Sequence, residues 1–316
     1  MSKLKQKLLH SVGLIISLVF IYFIFRDSKI SDVIKIISNT SLPYAFLVAL
    51  LSLALVVFKT SRWKMILDKS GIIPYKELLK INFISHMFNI LLPLRAGEVL
   101  QVFLTRSKGN IKKTDIAGSL VLNKFMELLS ILILFYILVL FVNTTVPEIW
   151  LKPIKYLVIF SILFLSLFGL RIVNINKIPE PKNKILKTIH VFFKSLTHIG
   201  NKTLLIKSLL LSLLVWVIEI FMIYLLLVSF GINAPAWAPI LLIVGINLAI
   251  LIPATSGSFG PYEFSIILVL GFFSVSKETA IAFAITLHFL EIIFVLLTGL
   301  VCYIRLKDKT SLKQEI

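Results

Sequence analysis

The sequence contains a single cysteine, Cys302, among its 316 residues. One thiol excludes a disulfide within the chain and a zinc site built from cysteine pairs. The sequence also lacks the motifs of metalloproteases, nucleophile elbows and phosphate loops. His288 and Glu291 have a spacing that resembles helical metal pairs and could serve as acid and base, but one such pair is not enough for a site. We therefore predict no catalytic residues, no metal and no cofactor.

Acidic residues are scarce, with 15 Asp and Glu against 33 Lys and Arg and a formal charge of +18. A charge of this size is typical of nucleic-acid-binding proteins, but no recognition motif accompanies it. The basic residues instead lie in short loops between apolar runs, as they do on the cytoplasmic side of membrane proteins. The charge therefore indicates a membrane protein whose loops favour anionic lipids, and no nucleic-acid partner.

Hydrophobic residues make up 58% of the chain, with a mean hydropathy of +0.99. Soluble domains contain about 45–50% apolar residues. The apolar runs are long enough to cross a hydrocarbon core of roughly 30 Å. Residues 8–25 follow a basic start but lack a small-residue cleavage site, so we predict an uncleaved first span. We predict an all-α polytopic membrane protein with six transmembrane helices, at about 8–25, 44–59, 116–142, 154–171, 207–230 and 279–304.

Two further apolar segments are interrupted. Residues 78–104 are broken by Pro93, Arg95, Gly97 and Glu98, and residues 237–272 are broken between Pro253 and Pro261. Charge, proline and glycine at membrane depth are tolerated where the backbone is buried in protein or lines a wet cavity. We therefore predict two re-entrant hairpins that enter from opposite sides, which is the sequence pattern of a midplane transport site. If both hairpins cross fully, the alternative count is eight spans.

The distribution of basic residues predicts the orientation. With the N-terminus inside, the predicted cytoplasmic segments hold 26 Lys and Arg and the predicted outer segments hold 6. This asymmetry places both termini in the cytoplasm and the protein in the cell membrane as a multi-pass protein. We treat residues 1–316 as a single integral-membrane domain.

Two connections are themselves predicted to contain helices. Residues 26–43 carry isoleucine and valine at helical spacing, which predicts a helix on the outer interface. Residues 173–205 place an apolar stripe among lysines, which predicts a cytoplasmic amphipathic connection between the two halves of the chain.

Charged residues at predicted membrane depth are the candidate site residues, because each costs roughly 2.5 kcal/mol or more unless it faces a protein interior or a cavity. Lys124 and Glu127 share a helix face at i,i+3 spacing and can pair, as can His288 and Glu291. Structural pairing alone is the alternative explanation for these residues, and for Glu219 the two explanations are evenly balanced. The acidic and histidine candidates for charge balance or proton coupling are Glu98, Glu127, Glu219, Glu263, His288 and Glu291.

An anionic head group would need cations and backbone N–H donors. Arginine and lysine pair with phosphate, and a glycine-rich turn before a helix N-terminus adds backbone donors. Glycine also allows close approach of a ligand. The candidate phosphate ligands are Arg95, Arg106, Lys124, Ser256, Gly257 and Gly260, and the predicted structural breaks are Pro93, Gly97, Pro253 and Pro261.

Four stretches of the chain resemble a known family. They are Ser61–Lys64, Asn89–Val99 with Arg106, Asn123–Glu127 and Pro253–Glu263. Together they are similar to the transmembrane region of lysylphosphatidylglycerol synthase, a flippase-like family, over residues 10–305. The third stretch departs from the family pattern Glu-Arg-x-x-Asp, since it reads Asn123-Lys124-x-x-Glu127. The loss of the first acid implies a different substrate if that acid contacts an amino group in relatives.

The resemblance implies translocation of a phospholipid or lipid-linked anionic substrate between bilayer leaflets through a central polar cavity. We expect the chain to lack the aminoacyl-transfer domain, and therefore not to act alone as a phosphatidylglycerol lysyltransferase. The expected partners are membrane lipids, with an anionic or aminoacylated phospholipid as substrate. The alternatives are a membrane subunit that works with a separate synthase or glycosyltransferase, and a small-solute transporter. The sequence leaves the lipid, direction, energy source and oligomeric state open.

Overall fold

The structure is a computed structural model that describes residues 3–92, 96–141, 202–250 and 256–311, together with residues 156, 159, 163 and 252. The regular structure of these residues is helical, as the sequence predicts. The α-helices are α1 (Lys3–Phe25), α2 (Ile30–Ser38), α3 (Leu42–Leu67), α4 (Tyr75–Leu91), α5 (Ala96–Lys108), α6 (Lys113–Phe141), α7 (Lys202–Ser229), α8 (Ala238–Ala249), α9 (Pro261–Phe272) and α10 (Lys277–Ser311), with a 3₁₀ turn at Ser256–Ser258.

The chain forms two compact units. The first unit contains Met1–Ala54, Phe83–Leu100 and Ile218–Ile316, and the second contains Leu55–Asn82 and Gln101–Val217. In the first unit, buried Ile24, Val33, Ile281 and Ala282 form an apolar core between α1, α2 and α10. In the second unit, a core that includes Trp63, Leu67, Ile73, Leu78, Ile111 and Ile116 joins α3, α4 and α6.

Four of the described helices are long and apolar enough to cross a membrane, and they match four of the predicted spans. They cover Pro43–Leu67, Lys113–Ile137, Lys202–Ser229 and Lys277–Leu306. The predicted first span corresponds to α1, whose apolar part is the shorter Gly13–Phe25. The predicted span at 154–171 lies outside the described residues, apart from three isolated residues. The predicted connection at 173–205 also lies outside them, except for its last four residues, which are the start of α7. The fold is therefore that of a polytopic helical membrane protein.

Helix α3 continues beyond the predicted end of the second span at residue 59. Its last turns contain Lys59, Arg62 and Lys64, three of the basic residues that the sequence predicts on the cytoplasmic side. The helix persists because these polar side chains have partners within the protein. Arg62 and the neighbouring Trp63 are almost completely buried and hydrogen-bonded. A charged residue would end a helix that faces lipid. Here it is accommodated, because the helix packs against other helices at this point.

Helices α4 and α5 form an antiparallel pair on either side of residues 92–95. Gly97 of α5 lies against Ser85 and Asn89 of α4, and further along Gln101 donates a hydrogen bond to Asn82 at 2.5 Å. The two helices have 17 and 13 residues. At 1.5 Å per residue both are shorter than the roughly 30 Å of a hydrocarbon core. The broken segment predicted at 78–104 is therefore a helix–break–helix unit.

Helices α8 and α9 form the corresponding pair in the second interrupted segment. Each has 12 residues. The two helices pack closely at Gly245. A Cβ atom added to this glycine would lie 3.3 Å from the Val269 side chain. Pro261 is the first residue of α9, a position where the missing N–H of proline has no cost. The two interrupted segments also lie close together at Gly257 and Ile90. A Cβ atom added to Gly257 would lie 3.8 Å from the Ile90 side chain, near the end of α4.

The short helix α2 confirms the helix predicted in residues 26–43. One of its faces packs on α10, where Val33 is 3% exposed and Ile36 and Ile37 contact the same core. Ile30 and Ile34 lie on another face and are exposed. One apolar face of α2 therefore contacts protein, and another is open to the surroundings.

Candidate functional site

The second unit contains three cations around one carboxylate, which we call the basic cluster: Lys59, Arg62, Lys124 and Glu127. The Glu127 carboxylate lies 3.3 Å from Lys124 Nζ, 3.6 Å from an Arg62 guanidinium nitrogen and 3.8 Å from Lys59 Nζ. The i,i+3 pair predicted between Lys124 and Glu127 is thus present. The other two cations come from a different helix, α3. With three positive charges and one negative charge, the cluster has a formal excess of two positive charges.

Arg62 is held in place from three directions. Its Nε donates to Asn123 at 2.8 Å and one terminal nitrogen donates to Ser212 at 2.7 Å, while the other faces Glu127. These partners lie on α6 and α7, so the guanidinium links three helices. An arginine buried to 1% exposure is tolerated because its fixed fork of donors is matched by these acceptors.

Two tryptophans support the cluster by binding neighbouring groups. Trp216 of α7 donates its indole N–H to the Glu127 carbonyl at 3.0 Å and to Ser130 at 2.9 Å. Trp63 of α3 donates to Ser119 of α6 at 3.0 Å. Buried indole N–H groups require acceptors, and here they fix the packing of α3, α6 and α7. The backbone that carries Glu127 is therefore rigidly placed.

Exposure differs sharply among the four charged residues. The Lys124 side chain is 53% exposed, compared with 26% for Lys59, 15% for Glu127 and 1% for Arg62. Lys124 is therefore the member of the cluster that an external anion could contact directly. Arg62 and Lys59 contribute positive charge from behind it.

Lys59 and Arg62 are not among the site residues that the sequence predicts, because the predicted second span ends at residue 59. The stretch Ser61–Lys64, which is part of the family resemblance, is the signal in the sequence that points to Arg62. Only the contact between α3 and α6 shows that Arg62 shares a carboxylate with Lys124.

Several predicted site residues have other positions. Arg106 is exposed and donates to Asn110 at 3.2 Å and to the Ile111 carbonyl at 2.7 Å, so its guanidinium satisfies the loop after α5. Glu98 lies in the first turn of α5, where a carboxylate interacts favourably with the helix dipole, and its backbone N–H binds the Asn89 side chain. Pro93, Arg95, Pro253 and the Ser256 side chain lie outside the described residues.

The first unit holds a second polar group, which we call the histidine cluster: Tyr262, Glu263, His288 and Glu291. The Glu263 Oε1 lies 2.6 Å from His288 Nδ1, and the Tyr262 hydroxyl donates to Glu291 at 3.0 Å. Glu219 of α7 interacts electrostatically with Tyr262. The i,i+3 spacing suggested that His288 and Glu291 pair with each other. Their described partners instead lie on α9, because both side chains of α10 face the start of that helix.

The glycines before α9 have structural partners. Gly260 has φ +96°, and a Cβ there would lie 2.9 Å from Phe20 and 3.0 Å from the Ser17 carbonyl of α1. Its N–H donates to Glu263 at 2.7 Å. Gly257 has φ +76°, which favours glycine for backbone reasons alone. The close approach predicted for a ligand at Gly260 is therefore made by α1, and the Gly260 amide is already bound to an internal carboxylate.

Comparisons with known proteins agree with this architecture. Residues 11–299 match the family described as the lysylphosphatidylglycerol synthase TM region. The chain is also similar to the UPF0104 membrane protein MJ1595 of Methanocaldococcus jannaschii, with 22% identity over an alignment of 304 residues that covers 88% of this chain and 88% of the relative. The resemblance inferred from four short stretches is thus confirmed across nearly the whole sequence. The chain belongs to the lysylphosphatidylglycerol synthase TM region family.

Proposed function

We propose that the protein moves a phospholipid or lipid-linked anionic substrate between the two leaflets of the cell membrane. Its termini would be cytoplasmic, its interrupted segments re-entrant, and the head group would pass through a polar cavity while the acyl chains stay in lipid. The observation that carries this proposal is the basic cluster, in which three cations share one carboxylate within helices that are otherwise apolar.

The concentration of cations in the basic cluster favours an anionic ligand. Three cations lie around Glu127 at a depth where charge must face a protein interior or a cavity. A phosphate group would interact favourably with them and accept charge-assisted hydrogen bonds. Because Lys124 is half exposed and Arg62 is fully committed to protein partners, Lys124 is the residue we expect to contact the phosphate.

Arg95 remains part of the proposal through its sequence position. It lies in the break between α4 and α5, next to the Gly97 contact. A guanidinium at the tip of a re-entrant hairpin would meet the head group during its passage. Glu98 would balance its charge or bind a cationic part of the substrate.

The test is translocation of fluorescently labelled phosphatidylglycerol in vesicles that contain the purified protein. We expect Lys124→Gln to lower the translocation rate about tenfold, since it removes one charge-assisted contact worth about 1.5 kcal/mol or more. Lys207→Gln is the matched control, because Lys207 is also an exposed lysine on a spanning helix but contacts no member of the cluster. Its rate should equal that of the wild type.

The outcomes separate function from residue assignment. If the wild type translocates the lipid and Lys124→Gln and Arg95→Ala do so equally well, the assignment of the phosphate ligands is wrong. If the wild type translocates neither phosphatidylglycerol nor its aminoacylated form, the proposed function is wrong.

A further inference from the structure

Glu263 and His288 form a buried pair of titratable groups that the basic cluster does not use. The two side chains are 10% and 7% exposed and their closest atoms are 2.6 Å apart. They connect the first turn of α9 to the middle of α10. A carboxylate and an imidazole at this distance share a proton between them, and histidine is the side chain whose charge changes most readily near neutral pH.

The surroundings fix both partners. Glu263 Oε2 accepts the Gly260 N–H at 2.7 Å, which leaves Oε1 directed at His288. The His288 ring stacks on Tyr262 with a centroid separation of 4.0 Å and contacts Phe259 at 5.0 Å. In the tautomer whose Nδ1–H donates to Glu263, an additional proton binds at Nε2. The hydrogen bond then joins two ionised groups, and it is stronger than the bond from a neutral imidazole to the carboxylate.

The ionisable groups that face this pair are mostly acidic. Tyr262 and Glu263 come from α9, Glu291 from α10 and Glu219 from α7. Helix α8 has no ionisable residue, and α1 contributes Ser17 and Phe20 at its contact with α9. Helix α4 packs about three turns further along α10, at Gly299, and carries His86 on that stretch.

The pair also lies beside a turn with several residues in the left-handed region of backbone space. Gly257, Ser258 and Gly260 all have positive φ, directly before the helix that carries Glu263. The bond between Glu263 and His288 therefore ties this turn to α10. A change in the strength of that bond changes how firmly the end of the second interrupted segment is held.

We propose that Glu263 and His288 form a proton-binding site, and that one proton taken up there from one side of the membrane and released to the other drives the lipid step. The coupling rests on the proposed function, whereas the proton site does not. In the protonated state the imidazolium and the carboxylate hold the turn at residues 257–260 against α10. Loss of the Nε2 proton weakens this tie and allows the turn to move.

The proton site is tested by nuclear magnetic resonance of histidine-labelled protein in lipid nanodiscs, with the His288 signal assigned from its loss in His288→Asn. We expect the His288 ring to be detected as imidazolium at the acidic end of the pH range in which the protein stays folded and as imidazole at the alkaline end. In Glu263→Gln the midpoint of this change should shift, because a facing charge is removed. Glu278→Gln, the same change on the first turn of α10, should leave the midpoint unchanged. A ring with one protonation state throughout, or the same midpoint in Glu263→Gln, overturns the site.

The coupling is tested in vesicles of phosphatidylethanolamine and phosphatidylglycerol with fluorescent phosphatidylglycerol as the probe. A gradient of about one pH unit supports an asymmetry of up to about tenfold if one proton moves per lipid. We expect this asymmetry in the wild type and in Glu278→Gln, and its loss in Glu263→Gln and His288→Asn. Glu263→Gln and His288→Asn are first checked for a monodisperse size-exclusion profile. A result from either of these two variants is sufficient for the test.

The results distinguish this inference from the proposed function. Translocation that is the same with and without the gradient overturns the coupling and leaves the proposed function intact. A wild type that moves no lipid overturns the proposed function together with the coupling, and the resonance titration then decides whether the proton site exists.

Discussion

Glu127 is the residue on which the stability of the basic cluster depends. It is the carboxylate shared by Lys59, Arg62 and Lys124, and Arg62 has almost no access to solvent. Glu127→Gln would leave a buried guanidinium without its counter-charge. Removal of one partner of a buried ion pair costs about 3 to 5 kcal/mol. We expect a loss of this size in the free energy of unfolding, measured by titration with a denaturing detergent in mixed micelles.

The control for Glu127 is Asp68→Asn. Asp68 also pairs with a lysine, Lys64, but its side chain is 35% exposed. Pairs of this kind contribute at most about 1 kcal/mol because water and ions screen them. A similar loss of unfolding free energy in the two variants would show that the burial of Arg62 does not increase the contribution of Glu127 to stability.

For individual side chains, the sequence predicts contacts within a helix but not those between helices. The i,i+3 rule is enough to predict the pair of Lys124 and Glu127. It also suggested a pair of His288 and Glu291, whose described partners lie on α9. Spacing along one helix shows which side chains share a face, but the helix packed against that face decides which bonds form. For Arg62 the required information was the contact of α3 with α6 and α7.

Among the elements, the antiparallel pair of α4 and α5 depends on Gly97. A Cβ at this position would lie 2.6 Å from the Asn89 side-chain oxygen and 2.8 Å from the Asn89 backbone nitrogen, and closer still to the Ser85 carbonyl. Backbone atoms cannot move aside independently, so Gly97→Ala should force the two helices apart. We expect a loss of about 1 to 3 kcal/mol in the free energy of unfolding, as is typical of overpacking.

Gly271→Ala is the matched control for Gly97→Ala. Gly271 lies in α9, and a Cβ there would meet no atom within 4 Å. Alanine is favoured over glycine in a helix by roughly 0.5 to 1 kcal/mol, so this variant should be as stable as the wild type or more stable. If both alanine variants have the same stability, the close approach at Gly97 is not a determinant of the fold.

The sequence predicts where the apolar segments are interrupted, but it does not predict where the helices end. Proline and glycine interrupt a helix for local reasons, so the sequence located both interrupted segments. The end of a helix at a charged residue depends on whether that residue finds a partner. Helix α3 continues to Leu67 because Arg62 and Trp63 bind groups on other helices. The helix propensity of the residues in α3 contains no information about these partners on other helices.

For the whole molecule, the sequence predicts an orientation from the distribution of 26 and 6 basic residues. The membrane class follows from the family and from four long apolar helices. The number of complete crossings depends on whether the pair of α4 and α5 returns to the side it came from. Their antiparallel packing and short lengths favour a return. The six-span arrangement then places the end of α5 in the cytoplasm, and the eight-span arrangement places it outside.

Two serines provide a matched test of this topology. Ser38 ends α2 and Ser107 lies in the last turn of α5; both are exposed, and each hydroxyl binds the carbonyl three residues earlier, Lys35 at 2.9 Å and Leu104 at 2.8 Å. Replacing the single cysteine by Cys302→Ser provides a background without thiols. In intact cells, a membrane-impermeant maleimide should label Ser38→Cys and should reach Ser107→Cys only after permeabilisation. Labelling of both in intact cells would favour eight spans, and the opposite pattern would invert the orientation that the basic residues predict.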